Sequence, residues 1–332
     1  MLFASAVTTF LSLVVAATPL EDRGGHKSNG CSSGSDQPIF HSFFNNTLTQ
    51  ATWPAAKDVA FSHLSLAGWR SDALRGAAGS WANLTADARS AILKDYHRLG
   101  KTLRVSAFGQ NDNVTTNAND PEEVAASLSK FAADYNLDGV DINYEDFAAV
   151  ASGAAFDWLS KFHAKLHSDL EASNPHAVLT YSPVADWFAK KDDVWVRFIQ
   201  AVESDVAWIN IQFYDDGSFN WTDCTQLLTK TGSSSYLSRQ EIADLTGFPV
   251  TRIVVQKPRQ ENQAGFISGT DLGKCFKATG AQFSGVSLWR VDPTNTNLSR
   301  DWVNDVVENA GVCKNHKFAK NAQHDLGICT SS

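Results

Sequence analysis

The segment DGVDINYE, at residues 138–145, alternates polar and apolar side chains. In a β-strand, successive side chains point to opposite faces, so residues two apart share a face. The polar face of this segment carries Asp141, Asn143 and Glu145. The opposite face carries Val140, Ile142 and Tyr144, which are apolar enough to pack beneath a layer of helices. We therefore predict a strand with three oxygen-bearing side chains in a row, the last of them a carboxyl group at the strand's end.

An alternation of strand and helix patterns extends from this segment in both directions, which indicates a parallel sheet. Strands are predicted at residues 38–44, 59–66, 103–108, 139–144, 178–182, 206–213, 253–256 and 285–289. Helices are predicted at about residues 85–99, 154–172, 193–202, 271–278 and 300–309, and after Asp120. Asp120 and Pro121 are typical N-cap and first-turn residues. The chain is therefore predicted to be an α/β protein with a single (β/α)8 TIM barrel over residues 37–311.

The barrel prediction changes the meaning of the polar face. An alternating strand commonly turns its polar side to solvent in an antiparallel sheet. In a parallel barrel the same side lines the interior and ends at the carboxyl-terminal rim, where active sites are built. We therefore expect a functional site around Asp141, Asn143 and Glu145.

Length and composition are consistent with one barrel. The chain has 332 residues, of which 43% are hydrophobic, so it can bury a large core. A barrel of this size commonly forms one domain. The net charge of −8 argues against nucleic acid or an anionic membrane surface as a partner. We expect a monomer that does not bind membranes.

The amino terminus and the glycosylation motifs indicate export. Residues 1–17 contain an apolar run that is too short to span a membrane and is typical of a secretory signal peptide cleaved near Ala17. Residues 18–36 are rich in Gly and Ser and are predicted to form a flexible leader. Five Asn-x-Ser/Thr acceptor sites follow, at Asn45, Asn83, Asn113, Asn220 and Asn297. We expect a secreted, extracellular glycoprotein.

All five cysteines lie beyond the predicted signal peptide. In an oxidising compartment they favour two disulfides and one remaining thiol. We predict the pairs Cys224–Cys275 and Cys313–Cys329, which leaves Cys31. The second pair would staple a C-terminal tail at residues 312–332. The cysteine spacing has no metal-ligand pattern, so we expect neither a metal nor a cofactor.

Residues 138–145 closely resemble the Asp-x-x-Asp-x-Asp-x-Glu signature on the fourth strand of family-18 glycoside hydrolases. Three further landmarks follow in the family's order. The segment LTYSP at 179–183 resembles the fifth-strand motif, QFY at 212–214 is similar to the sixth-strand motif, and Trp289 matches the eighth-strand tryptophan. On the third strand only Ser106 and Gly109 of the family motif are present. The resemblance spans most of the mature chain.

The resemblance implies a chemistry. Family members cleave after an N-acetylglucosamine (GlcNAc) unit with retention, using the substrate's own acetamido oxygen as nucleophile. The proton donor, and later the base, would be Glu145. Tyr214 would hydrogen-bond the acetamido oxygen, and Trp289 would form the apolar floor beneath the sugar. Asp141 is either a buried carboxylate that helps to orient the substrate or a structural hydrogen-bond acceptor.

Asn143 departs from the family pattern, which has aspartate two residues before the glutamate. An amide can accept the acetamido N–H, but it supplies no negative charge. That loss could weaken stabilisation of the cationic intermediate by a few kcal/mol. Because Glu145 is retained, we expect a modified enzyme rather than an inactive one.

Further candidate sugar contacts come from strand ends. Gln212 is the first residue of the sixth-strand motif, and Asp215 follows Tyr214. Trp69, Trp187 and Trp221 follow predicted strands and would lie on the rim, where each either contacts sugar or packs a loop. Two histidines, His41 and His63, are expected in the core, and Asp138 is expected to be structural.

Two reactions of the family fit, and both cleave the GlcNAc-β-1,4-GlcNAc bond. Residues 182–185, 254–256 and 263–267 resemble secreted fungal members that act on N-glycan chitobiose cores, and no separate chitin-binding module is visible. We therefore expect an endo-β-N-acetylglucosaminidase whose partner is a GlcNAc-containing glycan. The alternatives are a chitinase and, because of Asn143, a non-catalytic carbohydrate-binding protein on the same barrel.

Overall fold

Eight parallel strands close into a barrel in sequence order, with β1 pairing to both β2 and β8. The structure, a computed structural model, describes residues 38–214, 219–293 and 295–311. The strands are β1 (Ile39–Phe44), β2 (His63–Trp69), β3 (Thr102–Phe108), β4 (Gly139–Asn143), β5 (Val178–Tyr181), β6 (Trp208–Gln212), β7 (Ile253–Pro258) and β8 (Gly285–Trp289). The predicted (β/α)8 barrel is confirmed.

Helices connect the strands and cover the outside of the barrel. They are α1 (Gly76–Asn83), α2 (Ala86–Arg98), α3 (Pro121–Asp134), α4 (Phe147–Ser152), α5 (Ala155–Ser173), α6 (Val194–Val202), α7 (Cys224–Leu228), α8 (Arg239–Thr246), α9 (Gly269–Thr279) and α10 (Thr296–Ala310). The predicted cap of α3 is confirmed, since the Asp120 side chain accepts hydrogen bonds from the backbone N–H groups of Glu122 and Glu123. None of the helices in the described ranges is long and apolar enough to cross a bilayer.

The strand β4 lies between β3 and β5, with Asp141 level with Ser106 on one side and Thr180 on the other. Its first residue, Gly139, has φ +149°, and a Cβ there would lie 2.1 Å from the carbonyl oxygen of Val178. Only glycine tolerates both this conformation and this contact. Gly139 therefore allows β4 to start close beside β5, where Asp141 pairs with Thr180.

The two faces of β4 divide as the alternation predicts. Val140 and Ile142 are fully buried, and the Tyr144 ring packs against Trp158 of α5 and Trp195 of α6, with ring centroids 5.8 and 6.3 Å apart. Asp141 instead hydrogen-bonds to side chains of β3, β5 and β6 across the barrel. The apolar face thus meets the helices, and the polar face lines the interior.

Branched apolar residues normally fill the interior of such barrels. By comparison, the interior of this barrel is polar. His41 is fully buried, and its ring nitrogens lie 2.9 Å from Ser65 Oγ and 3.0 Å from Ser287 Oγ. Burial and the neighbouring Arg104 hold the pKa of His41 well below its ordinary value and lower the pKa of His63 to about 3. Both are therefore neutral core histidines, as the sequence predicts.

The second strand differs from the prediction of residues 59–66. It begins only at His63, because the backbone carbonyls of Val59 and Phe61 accept hydrogen bonds from the Lys101 ammonium group instead of a neighbouring strand. The strand then continues to Trp69 through an irregularity in register after Ala67. Trp69 was expected in a loop after the strand, and that expectation was wrong.

The predicted Cys224–Cys275 disulfide is confirmed and links α7 to α9, with the two Cα atoms 4.7 Å apart. The other predicted pair, Cys313–Cys329, lies outside the described residues, as does Cys31. The predicted signal peptide, leader and tail also lie outside them.

Candidate active site

Glu145 lies two residues beyond β4, at the carboxyl end of the barrel, and is half-buried. Its Oε1 accepts a hydrogen bond of 3.0 Å from Gln212 Nε2 of β6. The next residue, Asp146, is fully buried and accepts from the backbone N–H of Thr116 at 2.7 Å and from its hydroxyl at 2.6 Å. Asp146 also caps α4 through the N–H of Ala149. The backbone that follows Glu145 is therefore fixed by Asp146, and the Glu145 carboxyl group is held at the rim.

Two amides, those of Asn143 and Gln212, lie beneath the Glu145 carboxyl group. Gln212 Nε2 lies within 3.0 Å of three acceptors, Glu145 Oε1, Asn143 Oδ1 and the Ser182 carbonyl oxygen. An amide has only two N–H bonds, so it cannot satisfy all three at once. With its amide turned over, Asn143 itself donates to Glu145 Oε1 and to the Ser182 carbonyl, both at 3.1 Å. The Asn143 amide is therefore directly coupled to the carboxyl group.

Asp141 lies deeper in the barrel and is fully buried. Its carboxylate accepts from the hydroxyls of Ser106 at 3.0 Å, Thr180 at 2.7 Å and Ser182 at 2.9 Å, and from Asn210 Nδ2 at 3.3 Å. Burial raises the pKa of Asp141, while the positive charge of Arg104 and the hydroxyl donors oppose that rise. Ser182 links Asp141 to the amides above it. Its hydroxyl donates to Asp141, and its carbonyl oxygen accepts from Gln212 Nε2.

Tyr214 follows β6 and is 6% exposed. Its phenol oxygen lies 2.7 Å from Gln256 Nε2. Because an amide nitrogen only donates, the phenol accepts here and its own O–H points elsewhere. Gly265 fixes the tyrosine from outside, since a Cβ at that position would lie 2.6 Å from Tyr214 Cβ. The phenol is thus held near the carboxyl ends of β6 and β7.

The half-buried side chain of Trp289 ends β8, and its ring meets the buried Phe43 ring edge-on at a centroid distance of 5.1 Å. Phe43 in turn contacts the His41 ring at 4.5 Å. The indole is therefore supported from within the barrel and keeps part of its surface open at the carboxyl end.

The other tryptophans do not share one environment. Trp69 is 4% exposed with its ring against Phe108, and Trp221 is 1% exposed with its indole N–H donating to the Leu237 carbonyl. Both rings pack the barrel wall, which fits the packing alternative rather than a sugar contact. Trp187 is half-buried and stacks on Trp195 at 5.8 Å. Asp215 lies outside the described residues.

Beside Trp187 lies a residue that the sequence did not single out. Phe147 is 49% exposed, follows Glu145 by two positions, and meets the Trp187 ring edge-on at 5.1 Å. An exposed aromatic pair at the rim is suited to stacking on the C–H face of a sugar ring. Phe147 is two residues from Glu145 in the sequence, and Trp187 joins it from the segment after β5.

Several residues that support Asp141 were also missed by sequence reasoning. They are Arg104, Thr180, Trp208 and Asn210. A signal was available, because the alternation that orients β4 places these residues on the inner faces of β3, β5 and β6 once the register is known. By contrast, Asp138 pairs with His97 at 2.9 Å and accepts from the Leu103 N–H, in keeping with the structural role expected for it.

Within the described residues, no group of three His, Cys, Asp or Glu side chains is arranged to hold a metal ion. The groups at the rim described above are a carboxyl group, two amides, a phenol and an indole. In parallel (β/α)8 barrels, side chains at the carboxyl ends of the strands are the ones available to form a site.

No protein-family model matches the chain, and no curated protein sequence matches it. Solved structures do match. A GH18 chitinase from Pseudoalteromonas aurantia is 20% identical and has a TM-score of 0.62, covering 81% of this chain and 99% of its own. A fungal endo-β-N-acetylglucosaminidase from glycosyl hydrolase family 18 is 17% identical with a TM-score of 0.56, covering 80% of this chain and 95% of its own.

A GH18 chitinase from Cycas revoluta, solved in complex with (GlcNAc)3, is 14% identical with a TM-score of 0.58 and covers 82% of this chain and 99% of its own. At these identities the similarity establishes the fold. This chain has the barrel of the family-18 glycoside hydrolase structures, and the predicted resemblance to that family is confirmed at the level of the fold.

Proposed function

We propose that this protein is a retaining glycosidase that hydrolyses the GlcNAc-β-1,4-GlcNAc bond by substrate-assisted catalysis. The observation that carries the proposal is the position of Glu145, whose carboxyl group is held at the barrel rim by Gln212 above the Asn143 amide. A carboxyl group in that position can reach the oxygen of a bond lying across the barrel mouth. The family-18 fold and the four sequence motifs support the same reaction.

In the proposed reaction Glu145 donates a proton to the glycosidic oxygen, and that oxygen leaves with the bonding electrons. The acetamido oxygen of the −1 sugar attacks C1 from the opposite face and forms a cyclic oxazolinium ion. Water then attacks C1 and displaces the acetamido oxygen, whose bond to C1 breaks, while Glu145, now a carboxylate, removes a proton from the attacking water. Two displacements retain the β-configuration. Trp289 supplies the apolar floor for the −1 sugar, and Tyr214 donates to the acetamido oxygen.

Asn143 orients the acetamido group in this scheme. With its amide nitrogen toward Glu145 and the Ser182 carbonyl, the Asn143 carbonyl oxygen is left to accept the acetamido N–H. The neutral amide adds no charge beside the oxazolinium ion, and Asp141, one step deeper in the barrel, remains as the carboxylate of the inner face. We therefore expect turnover below that of a homologous site with aspartate at position 143.

For the substrate we propose the chitobiose core of N-linked glycans. The segments at 182–185, 254–256 and 263–267 support this choice, as does the structural similarity to the fungal endo-β-N-acetylglucosaminidase. A chitinase is the second candidate, because the Phe147–Trp187 pair offers an aromatic surface to a longer GlcNAc chain. Non-catalytic carbohydrate binding is the third, and Asn143 is the residue that favours it.

The proposal is tested with a high-mannose glycoprotein and with chitohexaose, and the products are identified by mass. Release of a glycan that ends in one GlcNAc supports the N-glycan enzyme, and release of chitobiose or chitotriose supports the chitinase. Glu145→Gln is the matched control, since it keeps the size of the side chain and an oxygen that can accept from Gln212, but its amide cannot supply the proton. Wild-type turnover that survives in this variant would refute the role of Glu145.

We also propose that the chain is secreted as a monomer after cleavage near Ala17 and is N-glycosylated. The side chains of Asn83, Asn113, Asn220 and Asn297 are exposed, which supports access by the glycosylation machinery. Intact-mass analysis of protein from the culture medium, before and after enzymatic deglycosylation, tests the cleavage and the glycosylation, and size-exclusion chromatography with light scattering tests the monomer. An uncleaved chain without added sugar would contradict it.

A further inference from the structure

A positive charge is buried inside the barrel, next to the site but without a place in the reaction described above. Arg104 of β3 is fully buried, and its guanidinium lies over the Trp208 ring at 4.6 Å. Nη1 donates to Thr180 Oγ1 at 2.8 Å, whereas Nε and Nη2 make no hydrogen bond within the residues that the structure describes. Burial lowers the pKa of Arg104 to about 10, so the group stays cationic at neutral pH. A buried cation of this kind requires a counter-ion.

The direction of the hydrogen bonds identifies the counter-ion. A guanidinium has no acceptor, so the Thr180 hydroxyl must accept from Arg104. The hydroxyl's own hydrogen is then available for Asp141 Oδ1, which lies 2.7 Å away. Arg104 thus fixes Thr180 as a donor to Asp141 and interacts with the carboxylate through it.

A second chain of hydrogen bonds also ends with donors pointing at Asp141. The indole Nε1 of Trp208 donates to Asn210 Oδ1 at 3.0 Å, and this turns Asn210 Nδ2 toward Asp141 and Ser182 Oγ, each 3.3 Å away. The Ser182 hydroxyl, having accepted, donates to Asp141 at 2.9 Å. Both chains therefore present donors to Asp141, an arrangement that favours an ionised carboxylate.

The other titratable groups around this network do not replace Asp141. On β1 and β2, His41 and His63 face the guanidinium and are held neutral by burial and by Arg104 itself. Asp138, at the start of β4, interacts with Arg104 at longer range and already pairs with His97. Further along β4 lie the neutral Asn143 and then Glu145, which bonds to Gln212.

We propose that Arg104 is a positioning residue that, through Thr180, keeps Asp141 as a carboxylate beneath the site. Asp141 then supplies the negative charge that Asn143 does not, and it stabilises the cationic intermediate from one step deeper in the barrel. The second half of this statement rests on the proposed glycosidase activity. The first half does not depend on activity.

Two measurements are made on Arg104→Met, which removes the charge and keeps the length of the side chain. In protein labelled with ¹³C at aspartate carboxyls, the Asp141 signal is assigned by its loss in Asp141→Asn and followed through a pH titration. An opposite charge stabilises an ionised carboxyl by about one to three pH units. We expect Asp141 to titrate higher by that amount in the variant, and the acid limb of the kcat–pH profile to move up with it.

Arg239→Met is the matched control. Arg239 is also buried, with its pKa lowered to about 10, but its guanidinium donates to the backbone carbonyls of Ile253, Val250 and Gln282 and to Ser284. Its loss should lower the melting temperature and leave the Asp141 titration and the acid limb unchanged. If Arg104→Met does not fold, Thr180→Val, which removes only the connecting hydroxyl, should move the Asp141 titration in the same direction.

An Asp141 signal that titrates alike in wild type, Arg104→Met and Thr180→Val would overturn the proposal. So would an acid limb that stays in place while the signal moves, because Asp141 would then be charged without serving turnover. If wild type hydrolyses nothing but the signal moves, the coupling between Arg104 and Asp141 stands and the glycosidase function fails. The two failures are therefore distinguishable.

Discussion

Replacing Asn143 with aspartate adds one negative charge at a position that the structure couples to the proton donor. The Asn143 amide reaches Glu145 Oε1 at 3.1 Å, and in the variant a carboxyl oxygen would take that place. Two carboxyl groups so close do not ionise independently, and the pair retains a proton to higher pH than either would alone. We therefore predict that Asn143→Asp keeps the acid form available at higher pH and extends the basic limb of the pH–activity profile.

The size of the effect follows from the distance. Two unit charges 3.1 Å apart repel by about 1.3 kcal/mol at the dielectric constant of water and by about 5 kcal/mol at an effective value of 20. These energies correspond to roughly one and four pH units. Glu145 is half-buried and Gln212 donates to it, so the lower part of the range applies. We expect a displacement of about one to two pH units, with kcat equal to or above that of wild type.

The assay is kcat measured from pH 4 to pH 9 on the substrate that wild type hydrolyses. Asn143→Ala is the control, because it removes the amide without adding charge. It should lose activity while its basic limb coincides with that of wild type. An active Asn143→Asp variant whose basic limb also coincides with wild type would show that position 143 is not coupled to Glu145.

Three further predictions concern the site and the stability of the barrel. Tyr214→Phe should lower kcat by about 10²- to 10³-fold through loss of one donor to the acetamido oxygen; an unchanged kcat would exclude that contact. Replacing Cys224 and Cys275 with serine should lower the free energy of unfolding by about 4 kcal/mol, from the 51-residue separation that the bond closes; urea denaturation measures this, and a loss below about 1 kcal/mol would contradict it. His63 has its pKa lowered to about 3, so the unfolded chain binds a proton that the folded chain does not as the pH falls from 6.5 to 3. His63→Gln should therefore reduce the acid loss of stability by about 1.4 kcal/mol per pH unit in this window, and equal slopes in wild type and variant would refute the assignment.

The strands and the inward face of β4 were predictable because they depend on local pattern. Alternation orients Asp141, and its orientation is confirmed by hydrogen bonds from β3, β5 and β6. The start of β2 was not predictable in this way. Val59 and Phe61 have strand-like character, but a lysine some forty residues later takes their carbonyls out of the ladder.

The residues that support the site could not be predicted from the sequence pattern either, because their contacts depend on tertiary structure. Arg104 and Thr180 are 76 residues apart, and only the register of three neighbouring strands brings them together. Burial likewise depends on tertiary packing, so the sequence could not decide whether Trp69 packs the wall or contacts sugar. The exposed Phe147 could not be predicted as a site residue, because a single aromatic residue after a strand belongs to no periodic pattern.

The central claim, that Glu145 at the end of β4 donates the proton in a retaining hydrolysis, is tested most directly by following one substrate to its product by NMR. Wild type and Glu145→Gln are each given the substrate that wild type cleaves, and the anomeric form of the first product is recorded. We predict β-anomer from wild type and at least 10³-fold slower release from Glu145→Gln, with sugar binding retained. A wild type that binds chitooligosaccharide or glycan and cleaves neither would contradict the account and favour a carbohydrate-binding protein.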